Sequence, residues 1–210
     1  MFDFIADLDA YFCEKYANYD KICILPGYRM PKMQTSEVRA DGRTYAYTLP
    51  AETMRLALQE NKAEILALLK QKIVDKTFSF SFQPLPLFLK IRNKTSRYGF
   101  VKSFRALLGR YNLTDEEAGE GLDIDAEIWK GICKGNFLPS KNLLFSFALT
   151  SHIAMDDLNE LFAICDYSFD YAVEKDVVIS YLIAQKVFNR PMIDAALAEY
   201  KITNLFMKEA

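Results

Sequence analysis

TDEEAGEGLDIDAEIWKGICKGNFLPSKNLLFSFALT, residues 114–150, is the stretch that decides the fold of the second half of the chain. Thr114 and Glu117 have the spacing of a capping box, in which each side chain satisfies a backbone N–H at the start of a helix. Asp125 and Ser140 each precede another apolar run with helical spacing, and both residue types are good N-caps. The stretch therefore predicts three short helices joined by tight turns.

The first part of this stretch carries negative charge only. Seven carboxylates and no lysine or arginine lie between residues 114 and 127. Residues 90–110 show the opposite pattern, with no acidic residue and the bases Lys90, Arg92, Lys94, Arg97, Lys102, Arg105 and Arg110. We interpret the two blocks as solvated neighbours that neutralise each other in the fold, and the basic block is the best candidate for binding an anion.

Helical patterns continue on both sides of residues 114–150. One helix is predicted before them, over residues 103–110, and another begins near Asp156. Two further helices are predicted over residues 175–188 and 192–200. Short amphipathic helices with short polar breaks are typical of a compact all-α domain. We therefore predict such a domain over residues 98–210 and expect it to fold alone.

The first part of the chain, residues 1–83, has a mixed pattern. An opening helix and a longer helix after Pro50 alternate with a short apolar run at residues 21–25 and a hairpin around Asp41-Gly42. A last strand is indicated by the alternation of serines with Phe78, Phe80 and Phe82. This order predicts a small antiparallel sheet with two helices.

The predicted fold class of the whole chain is therefore α+β, with the small antiparallel sheet followed by the all-α domain and its extra C-terminal helices. Residues 84–97 connect the two parts. Pro84 and Pro86 cannot belong to a regular ladder or to a helix interior, so we predict a proline-containing linker there.

Residues 102–165 resemble the Xre, or lambda-repressor-like, helix-turn-helix family. The likeness rests on the order and spacing of the predicted helices, on the turn at Asp123-Ile-Asp125 and on the stretch KGNFLPS at residues 134–140. DAEIW at residues 125–129 and the helices of residues 165–206 are similar to a divergent branch of this fold, found at the C-terminal end of various bacterial proteins. Members of that branch generally lack an assigned DNA-binding role. The resemblance does not extend to the first ninety residues.

In DNA-reading members of the family, the N-terminal part of the third helix enters the major groove. The matching exposed face here consists of Asp125, Ala126, Glu127, Lys130, Gly131 and Lys134. It lacks the Arg, Asn and Gln that make bidentate contacts to guanine and adenine, and its acids repel phosphates. Phosphate contacts would fall to Arg92, Lys94, Arg97, Lys102, Arg105 and Lys141. Specific DNA binding is therefore disfavoured.

The sequence offers little chemistry for catalysis. His152 is the single histidine, and the phosphate-binding and nucleophile motifs of common enzymes are missing. We expect no catalytic residue, cofactor or metal. The four cysteines lie far apart inside apolar patterns, which is typical of reduced core cysteines and of a cytoplasmic protein. Neither a signal peptide nor a membrane span is indicated.

A second polar cluster is predicted at the hairpin, with Arg29, Arg39, Arg43 and Tyr45 as candidates for a binding face. The alternative is that alternating charges keep an edge strand soluble, which we favour. Trp129 and the phenylalanines of residues 78–82 are predicted to lie in the core.

Three functional hypotheses follow. The leading one is a cytoplasmic, non-enzymatic regulatory or adaptor protein that uses the acidic helix-turn-helix-like domain to bind a protein partner, with a second copy of the chain among the candidates. The second is a DNA-binding transcriptional regulator of the Xre type. The third is an α+β domain that acts on a small anionic substrate through its arginines. No membrane partner is expected.

Overall fold

The computed structural model describes residues 4–29, 34–38, 40, 42–48, 56–78, 82, 84–95 and 99–209, and within them the chain is mainly helical. The helices are α1 (Phe4–Lys15), α2 (Tyr19–Cys23), α3 (Lys62–Lys72), α4 (Leu87–Thr95), α5 (Phe100–Arg110), α6 (Asp115–Glu120), α7 (Ala126–Cys133), α8 (Lys141–Thr150), α9 (Met155–Ile164), α10 (Glu174–Ala184) and α11 (Arg190–Glu199). Two strands, β1 (Gln34–Val38) and β2 (Thr44–Thr48), form an antiparallel hairpin. None of the described helices combines the length and the apolar character that a membrane crossing needs.

The helices predicted for the C-terminal half are confirmed as α5 to α11, and side-chain caps explain where α6, α7 and α8 begin. The Thr114 hydroxyl accepts from the Glu117 N–H while the Glu117 carboxylate accepts from the Thr114 N–H, which completes the capping box. Asp125 accepts from two backbone N–H groups at the start of α7, and Ser140 accepts from one in α8. These local signals are independent of the rest of the fold, so they could be read from the sequence.

The α+β prediction is wrong, because the described part of the chain is mostly helical and lacks a sheet covered by helices. Residues 21–25, predicted as a strand, overlap α2, whose N-terminus is capped by the Asn18 side chain. A four- or five-residue apolar run fits either element, and here the cap favours the helix. The hairpin is present, but Val38 pairs with Thr44, so its loop is longer than the predicted two residues.

Two other predictions in the first part of the chain need correction. The long helix expected after Pro50 is represented by a 3-10 turn at Leu56–Leu58 and by α3, which begins only at Lys62. Phe78 belongs to no regular element and is 67% exposed, so it does not lie in the core as predicted. Residues 79–81 lie outside the described residues. The predicted linker contains α4.

The core is centred on α10, whose residues from Glu174 to Ile183 are all buried. α1 covers one side of it: the Phe4 ring lies 5.9 Å from the Tyr181 ring, and the Tyr11 hydroxyl lies 3.1 Å from the Ser180 hydroxyl. Buried residues from before residue 84 and from after residue 97 belong to one apolar core, so the boundary predicted there separates stretches of sequence that share a core.

Three consecutive charged residues at the start of α10 are buried, and each is paired with a different segment of the chain. Glu174 accepts from the Tyr16 hydroxyl at 2.5 Å and from Lys21 Nζ at 2.7 Å, which ties α1 and α2 to α10. Asp176 pairs with Lys141 of α8, and Lys175 pairs with Asp75 after α3. The pairs therefore join both halves of the chain.

The cysteines are free thiols. Three of the four are buried, and burial raises the pKa of Cys13 to about 11 and the pKa values of Cys133 and Cys165 to about 12. Cys23 is only partly buried. The buried thiols remain protonated at neutral pH and behave as small apolar side chains.

Candidate functional site

A groove of about 440 Å³ lies between α6 and α7 and is called the α6–α7 groove below. Its apolar lining comes from Leu122, Ile124, Ala126 and Trp129. Charged side chains surround this apolar part: Asp115, Glu116, Glu117, Glu120, Lys130 and Lys208. Leu122 and Trp129 are buried, whereas Glu116, Glu117 and Glu120 are exposed. The groove therefore has an apolar floor and a mainly acidic rim.

Trp129 forms part of the apolar floor of the groove and is held in one orientation. Its indole Nε1 donates to the Asp115 carbonyl at 2.7 Å. The ring meets Phe104 edge-on at 5.9 Å and lies 6.3 Å from the ring of Phe147. Only 7% of the residue is exposed, so the prediction that Trp129 lies in the core is confirmed. The part that remains accessible faces the groove.

The close approach of α6 to Trp129 depends on Gly119. A Cβ atom at this position would lie 2.6 Å from the indole Nε1 and 2.7 Å from Cδ1, which is too close for any side chain. Glycine at this position therefore permits α6 to pack directly against the indole.

We expect Gly119→Ala to destabilise the protein by about 1–3 kcal/mol, since the added methyl group displaces a buried ring that is already well packed. Thermal unfolding and Trp fluorescence measure this effect, and Trp129 is the single tryptophan of the chain. Gly109→Ala in α5 is the matched control, because a Cβ there meets nothing within 4 Å. Equal melting temperatures and spectra for the two variants would contradict the prediction.

The turn between α6 and α7 is supported from behind by the C-terminal segment. Leu122 and Met207 form an antiparallel bridge, and the Asp123 N–H donates to the Phe206 carbonyl at 3.1 Å. Lys208 Nζ donates to the Glu120 carbonyl at 2.6 Å. The residues after α11 therefore fix the turn and complete one end of the groove.

The rim is negatively charged at neutral pH. The backbone N–H and the hydroxyl of Thr114 donate to the Glu117 carboxylate, and these hydrogen bonds hold the pKa of Glu117 below its ordinary value. Lys130 pairs with Glu127 at 3.4 Å, so part of its charge is compensated. Four carboxylates face two lysines around the groove. A cationic ligand is therefore favoured over an anionic one.

The structure places most of the predicted helix-turn-helix face at the surface beside this groove. The exposed members are Asp125, Ala126, Glu127, Lys130 and Lys134. The prediction that Gly131 is exposed is wrong. Gly131 is buried, and a Cβ atom there would lie 2.5 Å from the Phe137 ring. The glycine permits the residues after α7 to fold back on the helix, and it takes no part in the exposed face.

The predicted phosphate-binding residues are not all available. Arg92 of α4 and Lys102 and Arg105 of α5 are exposed. The prediction that Lys141 contacts phosphate is wrong, because Lys141 pairs with the buried Asp176 and only 23% of its side chain is exposed. The side chain of Lys94 and all of Arg97 lie outside the described residues.

The basic block does not simply neutralise the acidic stretch that follows it. Arg110, its last member, forms ion pairs of 2.9 Å with Asp157 and with Glu160 of α9. These partners lie more than forty residues further along the chain, so the sequence pattern could not identify them.

The hairpin candidates are also only partly described. The backbone of Arg29 is held by Gln59, whose side chain accepts from the Arg29 N–H at 2.9 Å and donates to its carbonyl at 2.8 Å. Arg43 is exposed and Tyr45 is half-buried, whereas Arg39 lies outside the described residues. Gln59 is buried and was missed by the sequence analysis. The α6–α7 groove is therefore the better defined candidate site.

Comparisons with protein families, with curated proteins and with solved structures find no match for the chain. The resemblance of residues 102–165 to the Xre family stays a prediction. The α6–α7 groove is the feature that supports a function.

Proposed function

We propose that the protein is a non-enzymatic regulatory or adaptor protein that binds a basic segment of a protein partner in the α6–α7 groove. The observation that carries this proposal is the combination of the apolar floor at Trp129 with the exposed carboxylates of Glu116 and Glu120. An apolar side chain of the partner would enter the floor, while its Lys or Arg side chains pair with the rim.

The chemistry of the groove favours binding over catalysis. The lining contains one thiol among its described residues, that of Cys133, and burial raises the pKa of this thiol to about 12. A thiol with such a pKa is a poor nucleophile at neutral pH. His152 lies elsewhere, stacked on Phe188 at 4.8 Å. The buried free cysteines are in keeping with a reducing, cytoplasmic setting, which is part of the proposal.

DNA remains the competing ligand, because Lys102 and Arg105 are exposed on α5. The rim of the groove argues against it, since carboxylates beside a phosphate backbone raise the free energy of the complex. We therefore expect weak, salt-sensitive contact with duplex DNA and no sequence preference.

The test uses a charge reversal with a matched control. We expect Glu116→Lys/Glu120→Lys to weaken binding of short peptides, in which Lys and Arg flank a Leu or Phe, by at least about tenfold, since like charges then face each other. Glu60→Lys/Glu64→Lys is the control: both pairs are exposed glutamates four residues apart, and only the first pair lines the groove. Trp129 fluorescence reports peptide binding.

Two outcomes would argue against the proposal. One is equal peptide affinity for the groove variant and for its control. The other is tight binding of a particular DNA sequence at physiological salt, where the Debye length is about 8 Å and weak phosphate contacts are screened. That second result would favour the transcriptional regulator.

A further inference from the structure

α4 presents large apolar side chains to solvent. Leu87 is 75% exposed, Phe88 is 74% exposed and Ile91 is 53% exposed. The same helix carries Lys90, which is partly exposed, and Arg92, which is exposed. We call this surface the α4 face. A helix with adjacent apolar and basic side chains at the surface is typical of a segment that binds a groove on another molecule.

The α4 face is held in place by the rest of the chain. The Leu85 N–H donates to the Asn136 carbonyl at 2.9 Å, and Pro84 forms an antiparallel bridge with Phe137. At the other end of α4, a Cβ on Gly99 would lie 2.2 Å from the Asn93 carbonyl oxygen, so glycine permits a close approach. A surface held at both ends loses little conformational entropy when it binds.

We propose that the α4 face of one copy of this chain docks into the α6–α7 groove of a second copy. The inference rests on the proposed function, because it needs the groove to be a protein-binding surface, and it names the partner as the chain itself. None of the described side chains of α4 lines the groove of its own chain, and Leu87 and Phe88 remain about three-quarters exposed. Both surfaces are therefore accessible to another copy.

The two surfaces complement each other in polarity and in charge. Leu87 and Phe88 supply the apolar side chains that the floor at Trp129 can cover. Lys90 and Arg92 supply the cations for the rim glutamates Glu116 and Glu120. Fixing apolar and charged groups together sets the orientation of the helix, and the charges raise the association rate at low salt.

The contact joins two different surfaces of the chain, so two arrangements satisfy it. Two copies can exchange α4 faces reciprocally, or the contact can extend head to tail. A nine-residue helix and one groove form a small interface. Small interfaces of this kind give weak association that depends on protein concentration.

The experiment is sedimentation equilibrium of the full chain over a range of concentrations, at low and at high salt. Self-association is expected at low salt and is expected to weaken as salt rises. The α4 variant Lys90→Glu/Arg92→Glu and the groove variant Glu116→Lys/Glu120→Lys should each weaken association by at least about tenfold, since each places like charges in contact. Phe88→Ala should weaken it without any change of charge.

Combining the α4 and groove variants in one chain provides the decisive measurement. The swapped charges are complementary again, so association is expected to return towards the level of the unmodified chain. Glu60→Lys/Glu64→Lys should leave association unchanged. Circular dichroism and Trp129 fluorescence establish that each variant is folded.

A monomeric full chain at all concentrations, or a combined variant that associates no better than the single ones, would overturn the inference. The unrelated basic peptides used for the groove separate the two proposals. If those peptides bind the unmodified groove and the chain is monomeric, the proposed function stands and self-association fails. If neither binds, both proposals fail.

Discussion

A fragment spanning residues 84–210 is expected to lose cooperative unfolding, although it contains all of α4 to α11. The fragment lacks α1, which covers one side of α10. Its removal would expose Tyr181 and Ser180 to water and would leave Glu174 without the Tyr16 and Lys21 donors. A domain has a total stability of about 5–15 kcal/mol, and the loss of these contacts and hydrogen bonds is large enough to remove it.

Phe12 shows in one residue how much α1 contributes. It is fully buried, and its ring lies 4.7 Å from the Tyr16 ring and 4.6 Å from the Tyr200 ring. Phe12→Ala should cost about 3–5 kcal/mol, because truncation of a buried aromatic residue leaves a cavity. The contact links residues near the two ends of the described chain.

Near-UV and far-UV circular dichroism during thermal unfolding measure both effects. The fragment should retain helical signal but lose the sharp transition and the aromatic signal of fixed packing. Phe12→Ala should retain a single transition at a lower temperature. A fragment that melts as sharply as the full chain would support the prediction from the sequence that residues 98–210 fold alone.

The reason that the starts of α6 to α8 could be predicted is that their signals are local. Thr114, Asp125 and Ser140 mark helix starts, and apolar residues follow each of them at helical spacing. α2 is also capped, by Asn18, but its five residues cannot distinguish a 3.6-residue period from an alternating one. The sequence pattern of residues 21–25 therefore predicts a strand where the structure has a helix.

The candidate site was predictable only in part. The acidic character of residues 114–127 is visible in the sequence and it forms the rim of the groove. The floor depends on contacts that the sequence pattern does not show: Gly119 against the indole of Trp129, and Met207 against Leu122. The α4 face was missed because two prolines nearby suggested a linker and concealed the helix that follows them.

The buried charges at the start of α10 were not predicted, because charged residues are normally placed at the surface. Lys175 is 2% exposed, and its ammonium lies 2.9 Å from the Asp75 carboxylate. No described group gives this ammonium a well-aligned hydrogen bond, so the opposite charge of Asp75 is its main compensation. Burial lowers the pKa of Lys175, and Asp75 opposes that change.

Asp75 is held by several donors at once. Burial alone would raise its pKa, but the nearby Lys175 ammonium and the hydrogen bonds from Thr77 and Thr203 outweigh burial and keep the pKa below the ordinary value of 3.8. The Thr77 N–H donates at 3.0 Å and the Thr203 N–H at 2.9 Å. Asp75 thus joins the segment after α3 and the segment after α11 to the start of α10.

The sign of the pH dependence follows from the lowered pKa. A carboxyl group whose pKa is lower in the folded state stabilises the fold fully above its unfolded pKa, and this contribution is lost as pH falls through the folded pKa. We therefore expect the free energy of unfolding to decrease below about pH 3.8, the ordinary value for Asp75. In Asp75→Asn this part of the acid dependence should disappear.

Asp75→Asn is expected to lower the free energy of unfolding by about 3–5 kcal/mol at neutral pH, because it leaves the Lys175 charge buried without its partner. Asn keeps the size of the side chain, but Thr77 and Thr203 donate to different oxygens of Asp75, so Asn loses one of these two acceptors together with the charge. Adding Lys175→Met should recover part of the lost stability, and the double-mutant cycle gives the coupling energy.

Asp194→Asn is the control, since Asp194 pairs with Arg190 at 2.8 Å on the surface and should contribute less than about 1 kcal/mol. Denaturant unfolding of Asp75→Asn, Lys175→Met, their combination and Asp194→Asn decides the matter: if Asp75→Asn costs no more than Asp194→Asn, the buried pair does not hold the two halves of the chain together.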